Sequence, residues 1–286
     1  MRRREFVTGL VASGSAAQIA VAQDAKKVER KGRLKQCVTQ GVFGRGMSFE
    51  DTCREAARLG CKGYDLRGPA DWPMLKKYGL IPTMHPPGPG GTIPEALNRK
   101  ENHDRLEKAM HPALDDCAAN GVPNLITFSG NRKGMADAEG ADNCVAFLNK
   151  VKAHAEDKGV TICMELLNSK VNHKDYMCDH TAWGVDVMKR VNSPRVKLLY
   201  DIYHLQIMEG DIARTIKDNF QWLGHFHTGG NPGRHEIDET QELNYRFIAK
   251  TIADLGFTGY VAHEYSPAQG RDAITSLNQA MEIFDV

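Results

Sequence analysis

The sequence carries almost no charge excess. Among 286 residues, 37 Lys and Arg stand against 36 Asp and Glu, a formal net charge of +1. Outside the N-terminal 35 residues there is no block of Lys or Arg. Nucleic acids and other polyanions are held by a basic face, so this balance argues against such a partner. The seven cysteines, Cys37, Cys53, Cys61, Cys117, Cys144, Cys163 and Cys178, include no C-x-x-C pair. Scattered and odd in number, they form neither a zinc pattern nor a disulfide framework, and they read as small buried apolar residues. No stretch is long and apolar enough for a transmembrane helix. No G-x-G-x-x-G or Walker A pattern follows the first strand, which argues against a doubly wound nucleotide-binding sheet. GVFGRG at 41–46 is glycine-rich but wrongly spaced, and reads as a flexible loop. No domain linker interrupts the body of the chain, and nothing repeats beyond a strand–helix unit.

The first 22 residues stand apart. Arg2, Arg3 and Arg4 precede Phe6, a weakly apolar Ser/Gly/Ala-rich stretch follows, and Ala20-Val21-Ala22 has the A-x-A form of a cleavage site. The segment resembles a twin-arginine export signal with Arg3-Arg4-Glu5-Phe6 as its core. The alternative is a basic tail. The expectation is a protein exported folded to the periplasm and cleaved after Ala22, with residues 23–33 as a linker to a domain spanning 34–286.

Within 34–286, short apolar runs alternate with longer helical patterns. The strand candidates are 34–39, 63–66, 81–85, 124–128, 160–165, 196–201, 222–227 and 260–264. Helical patterns cover 49–59, 72–78, 101–119, 138–158, 182–191, 212–219, 241–255 and 271–283. Gly60, Gly79, Gly121, Gly159 and Gly256 fall where helices should stop before the next strand. Eight strands and eight helices in strict alternation predict an α/β fold, a single-domain (β/α)8 TIM barrel.

In such a barrel the chemistry gathers at the C-terminal ends of the strands. Strand five ends in Glu165, with Asn168 beyond as a candidate substrate contact. Strand six ends in Asp201, then His204. Strand seven carries His225 and His227, followed by Arg234 in a Gly/Pro-rich loop. Strand eight carries His263 and Glu264, and strand three ends in His85. A single buried carboxylate needs only a partner. Four successive strands presenting Glu165, Asp201, His227 and Glu264 suggest more. Three carboxylates and an imidazole suit one divalent metal, Mg²⁺ or Mn²⁺ first, with Co²⁺ and Zn²⁺ as alternatives. Without a cation the carboxylates would repel. His225 and His263 are expected to alternate with the candidates and to point away from the lumen. Arg234 reads as a clamp for a substrate carboxylate or hydroxyls, or as a solvated surface residue. His85 reads as a substrate contact or a structural loop residue. Tyr64-Asp65-Leu66-Arg67 on strand two is expected to add only polar wall contacts.

Several stretches carry a resemblance: MELLN from Met164, LLYDIYHLQIMEGD from Leu198, GHFHTGGNPGRHE from Gly224, ETQELNYRFI from Glu239 and GYVAHEYSP from Gly259. Together the chain from about residue 34 onward resembles the xylose isomerase-like sugar isomerases and epimerases, and within them the hydroxypyruvate isomerase family. The resemblance implies that Glu165, Asp201, His227 and Glu264 ligate one divalent metal. It implies that Glu165 and Glu264 are the catalytic acid/base pair, and that His204 and Arg234 hold the substrate. Two departures bear on the substrate. The family usually has Gln where His227 stands, His being more like the ketose 3-epimerases, and MELLN differs from the more usual E-P-x-N. An export signal is also atypical of that family.

The implied reaction is proton transfer next to a carbonyl, through an enediolate, on a small hydroxy-carbonyl or sugar substrate. Return of the proton to the adjacent carbon would convert hydroxypyruvate to tartronate semialdehyde. Return to the same carbon from the other face would be epimerisation. A ketose 3-epimerase, a lyase or hydrolase acting on a 3-keto-glycoside, and a non-enzymatic exported sugar-binding protein are the alternatives. The related metal-dependent endonucleases for damaged DNA carry more His and a basic face, against the near-zero charge here. A homo-oligomer is compatible with the sequence.

Overall fold

Apolar runs that bury both faces become the strands of a parallel sheet covered by helices. The computed structural model describes residues 26–286. The export-signal segment, and the start of the expected linker, lie outside the described residues. Eight parallel strands form the sheet: β1 (Lys35–Val38), β2 (Gly63–Asp65), β3 (Ile81–Met84), β4 (Asn124–Thr127), β5 (Thr161–Leu166), β6 (Val196–Asp201), β7 (Leu223–Thr228) and β8 (Tyr260–His263). Their order is β3-β2-β1-β8-β7-β6-β5-β4. The two ends meet through a parallel bridge between His85 and Leu125, with the His85 amide donating to Asn124 O at 2.8 Å. The ring therefore closes as a (β/α)8 barrel, as the alternation predicts. Residues 28–33 lie along it: the Val28 amide donates to Arg58 O at 2.8 Å, and Arg30 reaches Asn278 at 2.7 Å.

The covering helices are α1 (Phe49–Arg58), α2 (Trp72–Lys77), α3 (His103–Asn120), α4 (Asp137–Lys158), α5 (Thr181–Val191), α6 (Ile202–Met208), α7 (Ile212–Asn219), α8 (Tyr245–Asp254) and α9 (Ala273–Ile283). Gly121 and Gly159 end α3 and α4 at φ of 72° and 68°, a left-handed turn that a side chain would strain. One helix was not expected. α6 begins directly at the end of β6, because the Asp201 side chain accepts the His204 amide at 3.2 Å and caps it. All seven cysteines are buried and unpaired in the core, as expected.

The main core lies between the strands and the helices, around Tyr64, Trp72, Phe147, Phe226 and Phe284. Cys37, Tyr260 and Ala262 pack as a separate small cluster. His263 behaves as expected. It faces the helices, 2.9 Å from Gln36 Oε1 and edge-on to Phe284, and burial pushes it down to about 3. No described helix is long and apolar enough to cross a membrane.

Candidate metal centre and active site

Parallel pairing sets the depth of each strand end. Asp201 pairs with His227, and the Glu264 amide donates to Thr228 O at 2.9 Å. Glu165 pairs with Leu199, two residues before Asp201. Glu165, Asp201, His227 and Glu264 thereby converge, one ligand atom from each lying within 4.8 Å of the others. Asp201 and His227 are fully buried, and the Glu165 side chain is 8% exposed.

His227 is the centre of this group. Its Nδ1 is 2.6 Å from Glu264 Oε2 and 3.4 Å from Glu165 Oε1, and its Nε2 is 3.0 Å from Asp65 Oδ2. Burial disfavours the imidazolium, yet Glu264, Asp65 and Glu165 outweigh it and hold His227 well above its ordinary value. Burial, with Glu264 and Asp201 adding to it, pushes Glu165 up despite His227. Burial also raises Asp201, against the pull of Arg234. For Glu264 burial acts the same way, but Arg234 and His227 outweigh it and keep the carboxyl below its usual range. Three carboxylates around one imidazole thus demand positive charge at their centre. His227 Nδ1 is buried with no well-aligned hydrogen-bond partner, and the donor set is hard to borderline. These residues fit a divalent cation.

The substrate-side residues form a second layer. Arg234 Nη2 lies 2.6 Å from Asp201 Oδ2 and 2.7 Å from Glu264 Oε2, and Nη1 is 3.1 Å from His204 Nε2. The loop that aims it turns tightly. Gly230 pairs with His235, and Arg234 itself has φ of 57°. The Tyr245 hydroxyl grips Gly229, donating to its carbonyl at 2.7 Å and accepting its amide at 3.1 Å. Asn168 is fully buried. Its Oδ1 accepts the Val171 and Asn172 amides, and its Nδ2 is 2.5 Å from His204 Nδ1. Asn168 therefore orients His204, leaving the His204 Nε2–H directed at Arg234. His85 stands apart: its Nδ1 is 2.9 Å from Pro86 O and its ring lies edge-on to Trp72. None of the hydrogen bonds in the carboxylate cluster reaches it.

Sequence reasoning misplaced His225. It was expected to face away from the lumen, yet it lies two residues from His227 and alternation puts both on one face. Its Nε2 meets Asp65 Oδ2 at 2.7 Å. Asp65 itself, on a strand set aside as wall, joins the two histidines. A cleft of about 550 Å³ opens beside this group, lined by Thr39, Asp65, Arg67, Arg234, Glu264 and Tyr265.

The family profile described as xylose isomerase-like TIM barrel matches residues 72–284. The chain belongs to that family. A 2-oxo-tetronate isomerase of Cupriavidus necator is 35% identical over 106 residues, 36% of this chain and 40% of its own. The hydroxypyruvate isomerase of Escherichia coli is 33% identical over 106 residues, 36% of this chain and 41% of its own. The chain thus spans about two fifths of the length of these relatives. Among solved structures, an AP endonuclease of family 2 from Brucella melitensis has 25% identity and a TM-score of 0.78, over 87% of this chain and 98% of that one.

Proposed function

We propose that the protein is a divalent-metal-dependent isomerase that moves a proton between neighbouring carbons of a small hydroxy-carbonyl compound, with hydroxypyruvate as the first substrate to test. The observation that carries this reading is the convergence of Glu165 and Glu264 on His227 Nδ1, at 3.4 and 2.6 Å, beside the buried Asp201. The names of the isomerase relatives support the same substrate class.

Glu165, Asp201, His227 and Glu264 would hold the cation, which supplies Lewis acidity at a carbonyl and its neighbouring hydroxyl. Glu165 comes from β5 and Glu264 from the end of β8, so the two carboxyls flank the site as an acid/base pair. On hydroxypyruvate a proton leaves C3, a proton arrives at C2, and the hydroxyl proton passes from the C3 oxygen to the C2 oxygen. The product is tartronate semialdehyde. His204, oriented by Asn168, presents Nε2–H to a substrate oxygen. Arg234 Nη1, itself only a donor, lies 3.1 Å from that nitrogen, so a substrate oxygen bound beside the pair could accept from both. Arg234 would hold the substrate carboxylate.

The decisive experiment incubates Mn²⁺-loaded protein with hydroxypyruvate in D₂O and follows the carbons by NMR. The reading requires deuterium at C2 of the new aldehyde. Deuterium entering at an unchanged carbon skeleton with inverted configuration, on a panel of ketoses, would favour epimerisation. No exchange with hydroxypyruvate, 2-oxo-tetronate or ketoses would defeat the proposal. The exported location is proposed as well, and cell fractionation with N-terminal sequencing of the mature chain tests it.

A further inference from the structure

We infer that Asp65 is a positioning residue for the metal centre: it holds His225 and His227 side by side as Nε2–H donors, so that His227 offers Nδ1 to the cation. This rests on the metal reading above. One oxygen, Asp65 Oδ2, faces both rings, at 2.7 Å from His225 Nε2 and 3.0 Å from His227 Nε2. Its other oxygen accepts from the Thr83 hydroxyl and lies 3.5 Å from Cys37 Sγ. Four groups surround a fully buried carboxylate, so its acceptor capacity is spent. A carboxylate so engaged orients a ligand rather than serving as one. Cys37, Asp65 and His225 also lie close enough together to suggest a second cation site. The hydrogen bonds on both oxygens of Asp65 argue against that.

The backbone gives an independent indication. β2 is three residues long, and its register against β3 shifts between Tyr64 and Asp65. The next residue, Leu66, has φ of 60°. A non-glycine residue there is strained and persists where the surroundings require it. Bulges of this kind re-aim a side chain. Here the register shifts at Asp65, the β2 residue that reaches His225 and His227 of β7.

A carboxylate on the far nitrogen fixes the tautomer and rotation of a ligating histidine, and losing it typically weakens metal binding about 10- to 100-fold. The test is Mn²⁺ titration of wild type and Asp65→Asn by calorimetry, with melting of both in chelator. The expected result is one Mn²⁺ per wild-type chain and a 10- to 100-fold weaker Kd in the variant, with its metal-free fold retained. An unchanged Kd in a folded variant would overturn the inference, as would two Mn²⁺ per wild-type chain. No binding by wild type would instead sink the metal reading itself. Should Asp65→Asn fail to fold, ¹⁵N-histidine NMR of the metal-free wild type decides. Slowly exchanging downfield Nε2–H signals from both His225 and His227 are expected, and an unprotonated Nε2 on either ring would overturn the inference.

Discussion

A single nitrogen of Arg234, Nη2, bonds Asp201 Oδ2 at 2.6 Å and Glu264 Oε2 at 2.7 Å. Both carboxylates belong to the proposed metal set. The guanidinium thus supplies part of the positive charge the cluster needs, and it competes with the cation for the same oxygens. Replacing it should separate two effects. In Arg234→Met the Mn²⁺ Kd should tighten, tenfold for each ~1.4 kcal/mol of competition removed. The KM for an anionic substrate should rise about 10- to 100-fold, the cost of losing a charge-assisted hydrogen bond of about 1.5–3 kcal/mol. Titration and steady-state kinetics read the two separately. If neither moves, Arg234 has no part in the site.

Glu264 should be needed for proton transfer more than for the fold. Its side chain is 25% exposed at the mouth of the cleft, and Gln keeps its size. Glu264→Gln should lower kcat about 10²- to 10⁴-fold while the far-ultraviolet circular dichroism stays that of wild type. Near-normal turnover at saturating metal would remove Glu264 from the acid/base pair.

Glu165 predicts a pH dependence in the metal-free protein. Burial raises its carboxyl above the unfolded value. The stability tied to this group is therefore whole below the ordinary carboxylate range and is lost as pH rises through the folded value. Gln carries no such dependence. In chelator, Glu165→Gln should melt above wild type at pH 8, by about 2–4 °C for each kcal/mol relieved, with the gap closing towards pH 4. Thermal melts across that range check the sign. A variant less stable at pH 8 than at pH 4, relative to wild type, would contradict it.

How much of this could be read from the chain depends on the distance over which each feature is encoded. The barrel was legible because eight short apolar runs and five helix-stopping glycines are local signals. The four ligand candidates were legible because each sits at a strand end beside its own apolar run. Asp65 was not, because β2 is only three residues long and its partner His225 lies 160 residues away. Neither the register shift at Asp65 nor the positive φ of Leu66 has a sequence signature. His225 was legible and was misjudged, since its spacing of two from His227 already put both on one face. α6 escaped because seven residues directly after a strand leave little periodicity to detect, although the Asp201 cap that starts it was in view. Asn168 was marked as a substrate contact, but its amide is spent on two backbone N–H groups and on His204.

In the proposed reading, four strand ends build one cation site. The most direct test is metal analysis of the purified protein after dialysis against Mn²⁺, with a Glu165→Gln/Glu264→Gln variant alongside. One metal per chain is expected in the wild type, and none retained by the variant. A wild-type protein that emerges without metal, or a variant that holds as much as wild type, would contradict it.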